Sequence, residues 1–226
     1  MYEFLTGPAL WLTFIIFFGG VVWRAVWYVR GLDWQMDRVA YGYHNDLAIK
    51  GALKSILHWL LPFGSRCWRL KPGFYLLFFT FHIGLLLVPV FLIAHNVILQ
   101  ERFGISLWTF SPRVADVLSI AMLVSAVFIV LRRIALPEVR ILTTFYDYLL
   151  ILISTAPFIT GLLCRFQVGG DYHFWLLAHI ITGEIWLIAV PFTKLSHAIL
   201  FFMSRAQLGM DYGIKRGGKY GRGLAW

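Results

Sequence analysis

The chain has 226 residues, 60% of them hydrophobic and 18% aromatic, with a formal net charge of +9 at pH 7. That composition and a mean hydropathy of +0.75 exclude a water-soluble globular domain and point to a bilayer as solvent. The basic residues flank apolar runs instead of forming a patch, so the charge reads as a topology signal and no nucleic-acid partner is expected.

In chain order, the first apolar run extends from about Pro8 to Val29. Met1–Thr6 before it has no basic n-region and no small-residue cleavage site, which predicts a retained helix and not a signal peptide. A basic connection of about residues 30–72 follows. Within it, Asp46–Leu61 alternates Lys50 and Lys54 with Leu47, Leu53, Ile56, Leu57 and Leu60, the pattern of an interfacial amphipathic helix ended by Pro62. Further runs cover about Gly73–Leu99, Val114–Leu131, Phe145–Cys164 and Phe174–Met203. The last makes about 45 Å of helix, so it is expected to project beyond the hydrocarbon core. A basic tail of about 204–226 ends the chain; its glycine-rich stretch Gly213–Trp226 suits a solvated or lipid-touching tail as well as a docking segment. The expectation is an all-α membrane protein of one domain, 1–226, with five transmembrane helices.

All but three of the 20 Lys and Arg residues lie in the segment from Arg24, near the end of span one, to Lys71, in the connection after span three, or at and beyond the end of span five. Arg102, Arg113 and Arg165 fall on the other side. The positive-inside rule then predicts a periplasmic N-terminus and a cytoplasmic C-terminus. This topology places the two cysteines, Cys67 and Cys164, on opposite sides, so no disulfide is expected. There is no C-x-x-C-H for covalent haem and no cysteine cluster for an iron–sulfur centre.

Of seven histidines, His44, His58 and His173 fall in loops or at span ends and read as ordinary surface residues. His82 and His95 lie on span two, His179 and His197 on span five. Ionisable residues inside apolar helices are costly and mark function, and imidazole is an axial ligand of haem iron. Because the two spans run in opposite directions, depth pairs His95 with His179 as an outer site and His82 with His197 as an inner one. Two b-type haems between helices two and five are the expected cofactors. The histidines of span five are 18 residues apart, five whole turns of about 27 Å, and share a face. Those of span two are 13 apart and would be rotated by about 220° on an ideal helix, which requires a bend near Pro89. Pro191 can likewise bend span five. Gly84 and Gly183, each within a turn of a histidine, either admit a flat macrocycle or serve helix packing. Arg132, Arg133, Arg140 and Lys194 lie at inner-haem depth and are candidates for its propionates, against plain topology anchoring. Asp147 is placed to pair with those arginines. Glu184, about 140° from the His179 face, suits an interhelical hydrogen bond better than proton handling.

Leu177-Ala178-His179-Ile180-Ile181-Thr182-Gly183 with Val190-Pro191-Phe192-Thr193-Lys194-Leu195-Ser196-His197 resembles the ligand helix of the gamma subunit of respiratory nitrate reductase and related two-haem membrane cytochromes b. Phe81-His82-Ile83-Gly84 resembles the start of that family's other ligand helix. Arg132-Arg133, Pro137, Val139-Arg140, Thr143-Thr144 and Asp147 resemble its connection between spans three and four. The likeness covers most of the chain from span two onward, and the fifth-span motif is its specific part. Two features depart from the family. The span-two histidines are more widely spaced, and the loop Gln100–Arg113 has no lysine for a quinol site, leaving Arg102, Arg113 and Asp116 as stand-ins.

The resemblance implies an electron-transfer subunit of a respiratory complex in the bacterial inner membrane, with catalysis shared with its partners. In the branch found in sulfate-reducing bacteria, which includes the high-molecular-weight cytochrome complex, the implied partners are other membrane subunits, a periplasmic multihaem cytochrome c and a cytoplasmic iron–sulfur protein. Menaquinone is a candidate further cofactor. The competing expectations are a haem-free scaffold or transporter subunit with packing or proton-relay histidines, and an independent quinol oxidoreductase.

Overall fold

The computed structural model describes residues 1–32 and 45–215. His44 and the tail from residue 216 lie outside the described residues. Every regular element among them is helical, and five helices are long and apolar enough to cross a membrane. In chain order these elements are α1 (Tyr2–Arg30, with a π-turn at Leu5–Ala9), α2 (Asn45–Leu60), α3 (Arg66–Leu70), α4 (Pro72–Phe91) and α5 (Ile93–Phe103). Then come α6 (Pro112–Ala135), α7 (Pro137–Arg140), α8 (Phe145–Arg165), α9 (Tyr172–Phe192) and α10 (His197–Lys215). The membrane-length helices are α1, α4, α6, α8 and α9.

Two of the expected runs are broken. Span two ends as α4 at Phe91, Leu92 is extended (φ −71°, ψ 132°), and α5 starts afresh at Ile93. Span five does not continue as one helix to Met203. It ends as α9 at Phe192, Thr193 is extended (φ −119°, ψ −172°), and a 3₁₀ turn, Lys194–Ser196, leads into α10. Each break follows a proline, Pro89 and Pro191, that has no N–H to give the preceding turn. The five unbroken turns from which a shared face for His179 and His197 is inferred are therefore not present.

The described chain forms two compact units. The first, Met1–Trp11 with Gly73–Leu187, is a bundle of α4, α5, α6, α8 and most of α9. Its core joins Leu85 and Val88 of α4, Met122 of α6 and Phe158 of α8, with Phe81, Leu118, Leu123 and Trp186 packed around them. Gly84 makes the α4–α6 approach: a Cβ there would lie 2.5 Å from the Met122 Cβ and 3.1 Å from the Leu118 carbonyl oxygen. Buried hydroxyls return their protons to their own helices. Ser119 bonds the Ala115 carbonyl at 2.8 Å and Ser154 the Leu150 carbonyl at 2.8 Å, so neither is left unpaired in an apolar setting.

In the second unit, Leu12–Pro72 with Ile188–Trp226, α1 packs beside the end of α9 and meets α10 where Tyr28 bonds Gln207. Gly20 allows this, since a Cβ there would sit 2.7 Å from Pro191 Cγ. The expected amphipathic helix forms as α2. Its small face, Ala48, Gly51 and Ser55, is buried, and Gly209 of α10 approaches so closely that a Cβ would lie 2.3 Å from the Gly51 carbonyl oxygen. Ile49, Leu53, Leu57 and Leu60 point outward.

Candidate functional site

The break at Leu92 re-aims His95. The Nδ1 of His95 lies 2.8 Å from the Pro89 carbonyl oxygen, one of the last carbonyls of α4, which a helix end leaves without intrahelical partners. The loop after α5 then folds back and completes the terminus. The Phe110 N–H donates to the Phe91 carbonyl at 2.9 Å. Buried Asn96 clasps Leu107 by donating to its carbonyl at 3.2 Å and accepting from its N–H at 3.0 Å. Gly104, with φ +68°, closes α5 in the left-handed conformation that favours glycine.

From α9, His179 presents its ring to His95. The ring centres are 5.9 Å apart and the planes differ by 16°. The Nδ1 of His179 lies 2.8 Å from the Pro157 carbonyl oxygen of α8. Gly161, one turn on, leaves the room this ring needs, for a Cβ there would stand 3.0 Å from His179 Nδ1 and 3.1 Å from its Cε1. A contact of 3.2 Å between the hydroxyls of Thr160 and Thr182 ties α8 to α9 just beyond the ring.

The other two histidines follow the same rule of attachment. The Nδ1 of His82 is 2.7 Å from the Phe78 carbonyl oxygen, and that of His197 is 2.8 Å from the Lys194 carbonyl oxygen. A carbonyl oxygen only accepts, so in all four rings Nδ1 carries the proton. In a neutral ring this makes Nε2 the lone-pair nitrogen, the arrangement that metal-binding imidazoles use. A metal bound at about 2 Å through one nitrogen lies about 3 Å from the ring centre, so two imidazoles on opposite sides of one ion have centres about 6 Å apart. The separation of His95 and His179 fits that span. Among the described residues no group of three or more His, Cys, Asp and Glu is placed to hold a metal.

The remaining candidates are scattered. Gly84 serves the packing of α4 on α6, whereas nothing lies within 4 Å of a Cβ built on Gly183. Arg132 stacks its guanidinium 4.2 Å from the centre of the Phe74 ring, and Arg133 donates to the Thr143 hydroxyl at 3.3 Å. Arg140 ends α7 exposed, and Lys194 is exposed in the 3₁₀ turn. Asp147 accepts from the N–H and hydroxyl of Thr144 at 2.8 and 2.9 Å, forming the capping box of α8. The interhelical hydrogen bond expected of Glu184 is absent at its Oε1, which is buried without a partner. Of the quinol-site stand-ins, Asp116 pairs with Arg165 at 3.6 Å, Arg102 reaches the Thr6 carbonyl at 3.5 Å, and Arg113 is exposed. A cavity of about 410 Å³ lies between α5 and its following loop, lined by Asn96, Gln100, Glu101 and Thr109 among others. Of the surface histidines, His173 is exposed and His58 half-buried.

Sequence reasoning missed Pro157, Thr160 and Gly161. Their signal was present as a Pro-Phe-Ile-Thr-Gly run inside an apolar span, but only contact with another helix gives it meaning.

No family model matches the chain, and no solved structure matches it. A curated protein of Nitratidesulfovibrio vulgaris (strain Hildenborough), described only as "Protein", is 60% identical over 218 residues, which is 96% of each chain. Identity of that extent places the present chain in one family with the Nitratidesulfovibrio vulgaris protein.

Proposed function

We propose that this chain is a di-haem b membrane subunit of a respiratory redox complex, related to the gamma subunit of nitrate reductase. The observation that carries this is the facing pair His95 and His179, with centres 5.9 Å apart and each Nδ1 tied to a proline carbonyl. Two facing imidazoles, with no third His, Cys, Asp or Glu grouped with them among the described residues, would suit a haem iron whose other donors are the porphyrin's. The inner pair, His82 with His197, rests on the sequence motif and on the matching Nδ1–carbonyl bonds. Bound haem supplies reversible one-electron transfer. The carbonyl oxygens described above would hold each ring in one tautomer, and the helices of the bundle would pack around His95 and His179. His95 with His179, and His82 with His197, would hold the two groups, which would leave reaction chemistry to partner subunits.

In this reading the N-terminus is periplasmic, the C-terminus cytoplasmic, and the membrane is the bacterial inner membrane. Electrons pass between a periplasmic multihaem cytochrome c or a quinol and a cytoplasmic iron–sulfur protein. A complex of the high-molecular-weight cytochrome type fits that description. A quinol donor, menaquinone among the candidates, is supported by the cavity beside α5, the helix that carries His95.

The test is a reduced-minus-oxidised spectrum of the purified protein with haem quantitation. Two haems per chain are expected. His179→Ala should remove only the outer one and His197→Ala only the inner one. Absence of a b-type band, with no haem on extraction, would favour the haem-free scaffold instead.

A further inference from the structure

Arg24 stands in the apolar span α1, where the remaining charges are Glu3 and Arg30 near its ends. Positive-inside counting treats it as one more anchor, and an anchor extends its guanidinium toward water. Arg24 is held differently. Its guanidinium carbon lies 4.7 Å from the centre of the Trp27 ring and 6.0 Å from that of Trp23, and its Nε is buried without a hydrogen-bond partner. Leaving a charged donor buried and unpaired is costly, so the position favours an acceptor that carries negative charge.

The contacts of α1 on either side show what Arg24 faces. One turn before it, Gly20 packs on Pro191, and the ring of Trp23 lies 6.1 Å from that of Phe192. One turn after it, the Tyr28 hydroxyl donates to Gln207 Oε1. Residues 20, 24 and 28 share a face of the helix, so Arg24 lies between the two contacts by which α1 meets the ends of the stretch from Pro191 to Gln207. That stretch contains the extended Thr193, the 3₁₀ turn with Lys194, and His197 at the head of α10.

Resting on the di-haem reading above, we propose that Arg24 binds a propionate carboxylate of the haem ligated by His197. Arg is suited to this, since its planar fork meets a carboxylate through two parallel N–H donors. The two tryptophan faces hold the guanidinium in place for that contact. A lipid phosphate offers the same anionic oxygen chemistry, and the experiment separates the two sources.

The measurement uses the full-length protein in native membranes carrying His179→Ala, so that only the His197 haem is present. Haem content and the midpoint potential of that haem are compared with and without Arg24→Gln. A cation beside the propionate favours the reduced, less positive haem. Its loss should lower the reduction equilibrium constant roughly tenfold, about 59 mV for one electron, with haem still bound. Arg24→Lys, which keeps the charge but loses the fork, should give a smaller shift in the same direction, and it carries the test if Arg24→Gln does not accumulate. Unchanged potential at full haem content in the variant that accumulates means Arg24 is a lipid anchor, and the proposal is overturned. A protein with no haem under any condition defeats the di-haem reading, and this proposal with it.

Discussion

At the scale of the residue, the proposed chemistry turns on which nitrogen of each imidazole keeps its proton. Backbone carbonyls settle this for His82, His95, His179 and His197 alike. A carbonyl cannot be removed by side-chain substitution, so the sensitive positions are those that shape the space around the rings. Gly161 is the clearest. Adding a methyl there presses on the His179 ring at about 3 Å, and overpacking of this kind costs about 1–3 kcal/mol. In the proposed di-haem reading, Gly161→Ala is expected to cut haem content toward one per chain while the haem assigned to His197 persists, as read by pyridine haemochrome analysis. Retention of both haems with an unaltered spectrum would show that His179 tolerates the displacement and that the fit is looser than described.

At the scale of the element, the two proline-linked breaks decide what the sequence could disclose. The five apolar runs, the amphipathic α2 and the need for a bend near Pro89 were legible, because hydropathy and helical periodicity are local properties. The break at Thr193 was not. A run that stays apolar through Pro191 reads as one helix, and the spacing of His179 and His197 in whole turns made that reading attractive. The two glycines beside histidines looked equivalent in sequence for a related reason, since what a missing side chain admits depends on the neighbour. The structure separates them, which gives a paired prediction. Gly84→Ala drives a Cβ into Met122 and should destabilise the protein by about 1–3 kcal/mol. Gly183→Ala meets open space and should leave thermal unfolding in detergent nearly unchanged. Equal effects from the two would refute this assignment of packing. Asn96 belongs to the same scale. Asn96→Ala removes both clasps on Leu107, and unsatisfied backbone groups cost about 1–3 kcal/mol. Limited proteolysis should then cut between Gly104 and Ser111 sooner than in the parent chain.

At the scale of the whole molecule, the proposed orientation can be read with the chain's own thiols. Cys67 is exposed in α3 and Cys164 is buried near the end of α8. A membrane-impermeant maleimide should label Cys67 in inverted vesicles and not in intact spheroplasts. The opposite pattern would reverse the topology and with it the assignment of inner and outer haems. The pairing of His95 with His179 carries a further consequence, for biogenesis. His95 stands on α5, just after the second membrane-length helix, and His179 on the last of them among the described residues, so during synthesis the first ring waits while two more membrane-length helices are made before the one that carries its neighbour. Nothing that needs both imidazoles can be captured until the last span is in place. If the pair holds the proposed outer haem, loading of that site would report insertion of the helix that carries His179, a natural checkpoint between an assembled subunit and an abandoned one.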